Sequence, residues 1–509
     1  PVGGSRPPSA TASPGSGASG AALPGQATTT PQAAPSFVAE ASASVDVALV
    51  AVVGPGSTRR TITLAGLTDE LASPASHVAV SVPDLPALST RLGVTPDPAV
   101  RQLPSDQVMA AVIAGPALLG IVRAVDVTPA VRALAIDGRS LFGAERVRSL
   151  DGWPLTVAEG ASTATAASVF DPTAAWTLVA GGDVMLDRAV YRQTILLGKG
   201  ADYPWDGGTA EVVGRECCGA AGALLPDGAR TGDAGAVRAL MESADLAVVN
   251  LEGPSPDAFT YHPGGLVFTF DPALLAGLRD AGIDAVSLAN NHISNAGGSG
   301  VAETIAHLDA AGLAHSGAGP DLEAARRPAI LEAGRMKVAV LAYDGTRPDL
   351  DATASHAGAA PLRLDLAAAD IRSARAAGAD VVVVMIHWGV EYSDAVTSAQ
   401  RALAADLVAA GADAIVGSHP HWLGPIETID GRPVLYSLGD LVFQLTHDRR
   451  TMESALADLT FVGRRLVQLD LHPTLILDGA QPNLLDPTTG DGAAVLDDVR
   501  RASAALPPR

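Results

Sequence analysis

From Trp176 onward, short β-branched runs that end in glycine or a polar residue alternate with alanine-rich stretches of helical period. The runs read WTLVAGGD, ADLAVVNLEG, GIDAVSLANNH, KVAVLAYDG, ADVVVVMIHWG, ADAIVGSHPH and RPVLYSLGD. Among the stretches between them, PALLAGLRDAG, VAETIAHLDAAG and AQRALAADLVAAG close on glycine, a helix stop. This alternation predicts an α/β domain over residues 175–475 whose central strands are buried on both faces. Residues 38–155 carry a shorter version of the pattern. There VDVALVAVV, HVAVSV and ALLGIVRAV read as strands and LPALSTRLG as a helix, which predicts a smaller α/β domain. It holds no ligand motif, so a structural or docking role is expected; a comparison with a solute-binding lobe rests on VTPAVRALAIDGRSLFG alone. Small polar residues over 156–174 read as a linker. Residues 476–509 read as a C-terminal extension.

Composition narrows the partners. With 34 Lys+Arg against 55 Asp+Glu the formal charge is −21, which repels a phosphate backbone and excludes nucleic acid as an expected partner. The only cysteines, Cys217 and Cys218, are adjacent, too little sulfur for a soft metal site. No apolar run reaches the length of a membrane helix. Residues 1–37 hold one charge, Arg6, and almost no large apolar side chain, and they read as a disordered Pro/Ser/Ala-rich tether. Such a tether suits an extracytoplasmic protein held to a bacterial cell membrane through an N-terminal anchor missing here.

The chemistry sits where the strands end, the place open α/β folds use for their sites. In order these ends carry Asp183, Glu252, Asn290–Asn291–His292, Asp344, His387, and His419 with His421. Alone, an aspartate after a strand is most often a helix cap. Repeated oxygen and imidazole donors at successive strand ends are harder to explain that way. The chain has 11 histidines, yet GSHPH sets two of them around Pro420. Proline disfavours a helical residue before it, so an extended segment with both imidazoles on one side is expected. A mixed Asp/Glu/Asn/His set without cysteine suits divalent Mn, Fe or Zn. Two such ions about 3.5–4 Å apart form the usual clamp for phosphate-ester hydrolysis.

The motifs GGDVMLDR, VVNLEGP, SLANNHISNAG, MIHWGVEY, VGSHPHW and LYSLGDLVF resemble, in order and approximate spacing, the CapA-type proteins of poly-gamma-glutamate capsule synthesis. That family looks like a divergent branch of the calcineurin-like metallophosphoesterases. The resemblance implies a four-layer α/β/β/α sandwich with the site at one edge of its paired sheets. It also implies one or two divalent ions held by Asp183, Glu252 as the bridging carboxylate, Asn291, His387, His419 and His421, with His292 as proton donor or phosphate contact. Glu391 is a candidate general base, with a salt bridge or helix cap as the alternative. The implied partners are an anionic polymer or phosphate-containing substrate and membrane-bound capsule synthesis proteins.

Three positions depart from the pattern. Met185 stands where phosphoesterases carry a histidine, which takes a ligand from one ion. Asn295 and Asp440 stand where CapA-type sequences often carry Asp and Asn. Around the site, Trp388 and Trp422 read as pocket walls or core, and residues 191–235 as a lid. His262, His447 and the pair Arg449–Arg450 read as further polar groups for an anionic substrate. Two functions compete, a metal-dependent hydrolase of the cell envelope and a non-catalytic metal-binding scaffold for capsule polymer assembly, export or anchoring.

Overall fold

The run Val381–His387 is buried at every position, which only the interior of a parallel sheet provides. In the computed structural model, which describes residues 44–160, 169–219 and 222–509, it is central to a six-stranded sheet. The strands Met336–Asp344 and Ala414–Ser418 flank it in parallel, and Arg432–Leu435 follows outside them. A second, larger sheet is built around Ala175–Val184, with Leu246–Leu251, Ala285–Ser287 and Ala314–Ser316 parallel on one side. On its other side Glu453–Val462 and Arg465–Leu477 run antiparallel.

The two sheets face each other across one apolar layer, where Trp176, Leu178, Val248 and Ala285 meet Val340, Val383, Met385 and Val416. The outer face of the larger sheet buries Val249, Val286 and Leu251 under helices that contribute Leu240, Leu278 and Val301. The outer face of the smaller sheet buries Val382, Val384 and Ile415 under Leu364–Ala376 and Ser398–Ala410. The last of these helices opens on a capping box between Thr397 and Gln400. The chain is therefore a four-layer α/β/β/α sandwich with a smaller α/β sheet before it.

That smaller sheet orders Arg101–Leu103, Val78–Ser81, Leu119–Arg123, Ser44–Val53 and Arg132–Ala133, and has its own core around Leu49, Leu67, Leu88 and Ile121. Polar links join it to the sandwich: the Ala144 amide donates to Asp458 at 2.7 Å, Arg146 pairs with Asp245 at 2.8 Å, and Arg60 pairs with Asp470. Ser44–Arg509 accordingly form a single unit. After residue 475 the chain adds the strand Gln481–Leu485 and the helix Gly490–Ala504. The tether expected over 1–37 and part of the 156–174 linker lie outside the described residues. No helix among the described residues is long and apolar enough to cross a membrane.

Within 191–235, where a lid was expected, Thr209–Cys217 and Leu224–Gly232 form a hairpin that extends the larger sheet through Gln481–Leu485. Backbone pairing with residues far downstream makes it a sheet edge. Cys217 and Cys218 are bonded to each other at its tip.

Candidate metal centre

The strand Ala175–Val184 ends at the junction of the two sheets, and GGD is what lets it do so. A Cβ on Gly182 would lie 1.9 Å from the Gly439 carbonyl oxygen, so only glycine permits this approach. The Asp183 amide donates to that same carbonyl at 2.9 Å. Asp183 and Asp440 are thereby brought into register as neighbouring parallel strand residues.

Around Asp183 the other donors converge. Its Oδ1 accepts a hydrogen bond from Asn250 Nδ2 at 2.7 Å, and its Oδ2 accepts one from the His419 amide at 3.1 Å. His387 Nδ1 lies 4.0 Å and His421 Nδ1 3.7 Å from its carboxylate. Glu252 sits at the end of the adjacent strand, with Oε1 3.9 Å from His387 Nε2 and 3.8 Å from His292 Nε2. Asn291 Oδ1 is 2.9 Å from His387 Nε2, and His419 Nδ1 is 3.1 Å from that same nitrogen. All six ligand positions implied by the resemblance are thus brought together. Two overlapping triads have ligand atoms within 4.8 Å of one another, Asp183–Glu252–His387 and Asp183–His421–Asp440. Asp183 is common to both, whereas Glu252, the position implied for a bridging carboxylate, belongs to the first.

The electrostatics match a cation centre. Asp183, Glu252 and Asp440 are each fully buried, and both Glu252 oxygens and Asp440 Oδ2 have no hydrogen-bond partner. Burial pushes the Glu252 carboxyl well above its usual range, and the neighbouring Asp183 charge adds to this. Burial likewise raises Asp183, and raises Asp440 to about 7. Burial drives His387 well below its ordinary value and His419 down to about 3, so both imidazoles are held neutral, the form that ligates metal. At His421 burial opposes the charge, but Asp440, Glu252 and Asp183 outweigh it and push the group up to about 10. Three buried carboxylates facing neutral imidazole nitrogens, with acceptor oxygens left open, fit one or two divalent ions.

The GSHPH turn differs from the extended segment that its proline implies. The strand ends at Ser418, and His419 and His421 take φ of 97° and 57°, in the left-handed region. The His419 amide bond to Asp183 and the Tyr392 amide bond to the Pro420 carbonyl, 2.8 Å, hold this turn. Strain of about 1–3 kcal/mol per residue is usual for such backbones at functional sites.

His292 packs its ring 4.1 Å from Phe268, and its Nδ1 lies 3.1 Å from Asn295 Oδ1. That oxygen also accepts the Phe268 amide, so His292 donates from Nδ1 and turns an unprotonated Nε2 toward Glu252. Burial takes its pKa down to about 4. Glu391 is exposed and is not brought into the cluster. Asp344 caps its own turn through Thr346 and Arg347. Trp388 is core, stacked on Tyr436 and bonded to its carbonyl at 3.0 Å. Trp422 lies under the Arg450 guanidinium at 4.1 Å. Arg449 is taken up by Glu453 and Asp498, and Arg450 by Asp394, so the arginine pair is already neutralised by neighbours. His262 clamps Asp187 at 2.7 Å, and His447 packs edge-on against Tyr392, 4.9 Å away.

The residues missing from the sequence reading are Asn250 and Arg188. Asn250 precedes Glu252 by two, and in a strand that spacing shares a face. Arg188, with φ of 54°, extends over the same Phe268 ring as His292, 5.2 Å from its centroid, and its Nε is buried without a partner. A cleft of about 500 Å³ lined by Arg60, Arg132, Asp470, Leu469 and Leu496 contains none of these groups.

Comparison with known proteins bears on the family of the chain. The family model "Bacterial capsule synthesis protein PGA_cap" matches residues 177–445, a little over half of the chain. "Capsule biosynthesis protein CapA" of Bacillus anthracis is 33% identical over 207 residues, 40% of this chain and 50% of that protein. "Probable polyglutamine synthesis accessory protein" of Mycobacterium tuberculosis is 32% identical over 223 residues, 39% of this chain and 56% of that one. The chain spans about half the length of the curated relatives it matches. Among solved structures, a 5'-nucleotidase precursor from Thermus thermophilus aligns with 16% identity and a TM-score of 0.37, covering 65% of this chain and 60% of that one. That likeness is too distant to bear on the chemistry.

Proposed function

The chain belongs to the bacterial capsule synthesis protein PGA_cap family, and we propose that it acts there as a metal-dependent hydrolase on an anionic envelope polymer or a phosphate-containing substrate. The observation that carries this reading is Glu252: a fully buried carboxylate with both oxygens unpartnered, set beside Asp183 and facing neutral histidine nitrogens. Asp183, Glu252, Asn291, His387, His419 and His421 would hold the ion or ions, of the Mn, Fe or Zn class. When bound, such an ion supplies a positive charge that activates water and polarises the scissile group.

The chain's own residues do the rest. Asn250 orients Asp183 through its 2.7 Å hydrogen bond to Oδ1, while the His419 amide holds Oδ2 at 3.1 Å, so the carboxylate plane is fixed from both sides. Phe268 fixes the planes of His292 and Arg188 on one wall. Arg188, stacked on the Phe268 ring and bonded to the Gly265 carbonyl, places its guanidinium charge beside the pocket for an anionic substrate, where Arg449 and Arg450 are occupied. His292 turns an unprotonated Nε2 into the pocket, placed to accept a proton and not to give one, which departs from the proton-donor role expected for it. The work would take place outside the cytoplasm, beside membrane-bound capsule synthesis proteins.

A second reading, a polymer-binding scaffold without turnover, is favoured by one observation: Glu391, the candidate base, is exposed and outside the cluster. The two separate in an assay of the Mn-supplemented chain against phosphomonoester, phosphodiester and gamma-glutamyl substrates. Turnover abolished by His292→Ala and by His419→Ala supports the hydrolase. Stoichiometric ion binding without turnover of any class overturns it in favour of the scaffold.

A further inference from the structure

We infer that Asp440 is a ligand in a second cation site with Asp183 and His421, supplying the donor that Met185 does not. The inference rests on the metal-dependent reading of this pocket and deepens it. Met185 is fully buried, and its sulfur accepts the Asp187 amide at 3.2 Å, so the side chain serves its own loop. Asp440 reaches the pocket from the neighbouring parallel strand. The Gly182–Gly439 approach sets it in register with Asp183, and its Oδ1 lies 2.7 Å from His421 Nδ1.

An ion pair with His421 accounts for Oδ1 only. Asp440 Oδ2 is buried and has no partner, a cost that a structural aspartate would normally relieve with a second hydrogen bond. The Asp183 carboxylate lies in the same cluster, so two acidic groups are held together with one acceptor oxygen of Asp440 left open. The three ligand atoms fall within 4.8 Å of one another, a set distinct from the one around His387. The two triads match in chemistry, two carboxylates and one imidazole each. The difference lies beside them: His419 Nδ1 and Asn291 Oδ1 stand next to His387, so that site gathers two imidazoles against one for the Asp440 site, which is the harder of the pair. The Asp440 site should therefore prefer Mn²⁺ or Mg²⁺, and the His387 site Zn²⁺ or Fe²⁺.

The test uses the full chain stripped with chelator and titrated with Mn²⁺, followed by calorimetry and by electron paramagnetic resonance. Wild type is expected to take up two equivalents and to show the spectrum of an exchange-coupled pair. Asp440→Asn keeps the acceptor for His421 and the side-chain shape but removes the charge. It should retain one equivalent, show the six-line signal of an isolated ion, and bind the second at least about 10-fold more weakly. Met185→His in the Asp440→Asn background should restore the second equivalent. Circular dichroism confirms folding of each variant, and Asp440→Ser serves in place of any that fails.

Two equivalents at wild-type affinity in Asp440→Asn would overturn the inference, because Asp440 would then only orient His421. Wild type binding one ion, unchanged by the substitution, also overturns it while leaving the metal-dependent reading intact. Wild type binding no ion removes that reading and this inference together.

Discussion

Gly182→Ala probes the joint on which the whole centre depends. The added Cβ would stand 1.9 Å from the Gly439 carbonyl oxygen, and real contacts of this kind do not fall under 3.0 Å, so the two segments must part by about 1.1 Å. Both atoms in conflict are backbone or fixed to it, so no side-chain rotation relieves the overlap. Parting them breaks the bond from the Asp183 amide to Gly439, 2.9 Å long, worth about 1 kcal/mol. Overpacking adds about 1–3 kcal/mol, for a total near 2–4 kcal/mol. A displacement of that size at a catalytic group costs on the order of 100-fold in rate. Urea denaturation of the metal-free chain measures the first effect and the turnover rate of the Mn²⁺-supplemented chain the second. Gly264→Ala, where a Cβ meets nothing within 4 Å, is the control and should change stability by less than about 0.5 kcal/mol. Gly182→Ala matching the control in both measurements would refute the close-approach argument.

Glu252→Gln should stabilise the metal-free chain near pH 7 by about 1–3 kcal/mol, because a carboxyl whose folded pKa is raised must take up a proton or bury an unpaired charge to fold and the amide does neither, while ion binding falls sharply; denaturation with and without Mn²⁺ reads both. Arg146→Ala should cost about 3 kcal/mol, since Arg146 is buried on Asp245 and the Ala175 carbonyl, both at 2.8 Å; the loss stays at the low end because Arg148 still pairs with Asp245 at 2.7 Å. At Glu427, burial raises the pKa, but hydrogen bonds from Arg509, Arg401 and Tyr436 outweigh it and bring the group down to about 2. Its stabilisation is therefore present above the unfolded value of about 4.3 and lost as pH falls toward about 2. Glu427→Gln should be less stable than wild type at pH 7 and equal to it at pH 2, read from urea midpoints at both. Arg188→Ala should raise KM for an anionic substrate more than it lowers kcat, and steady-state kinetics separates the two.

The strand ends were legible because β-branched runs and glycine stops mark where each strand finishes, and burial on both faces leaves no other reading for a run such as Val381–Ile386. Asp183, Glu252, His387 and His419 stand at or just beyond the ends of such runs, with Asn291 and His421 a few residues on, but Asp344 ends a run as well and only caps its own turn, so the pattern offered the candidates and the family resemblance picked the set. Local pattern could not decide what those donors face. Asp440 reaches Asp183 only through the Gly182–Gly439 contact, made between segments more than two hundred residues apart. The left-handed backbone at His419 and His421 is imposed by hydrogen bonds to Asp183 and Tyr392, against the extended preference that Pro420 implies. Glu391 lies four residues beyond His387 in a non-helical segment and is exposed, while Asn250 and Arg188 point in, because packing of the two sheets rather than period sets those directions. The protonation of the centre belongs to the tertiary structure as well. A carboxylate's pKa depends on the charges and dielectric that surround it, and for Glu252 those come from Asp183 on the next strand and from burial between two sheets.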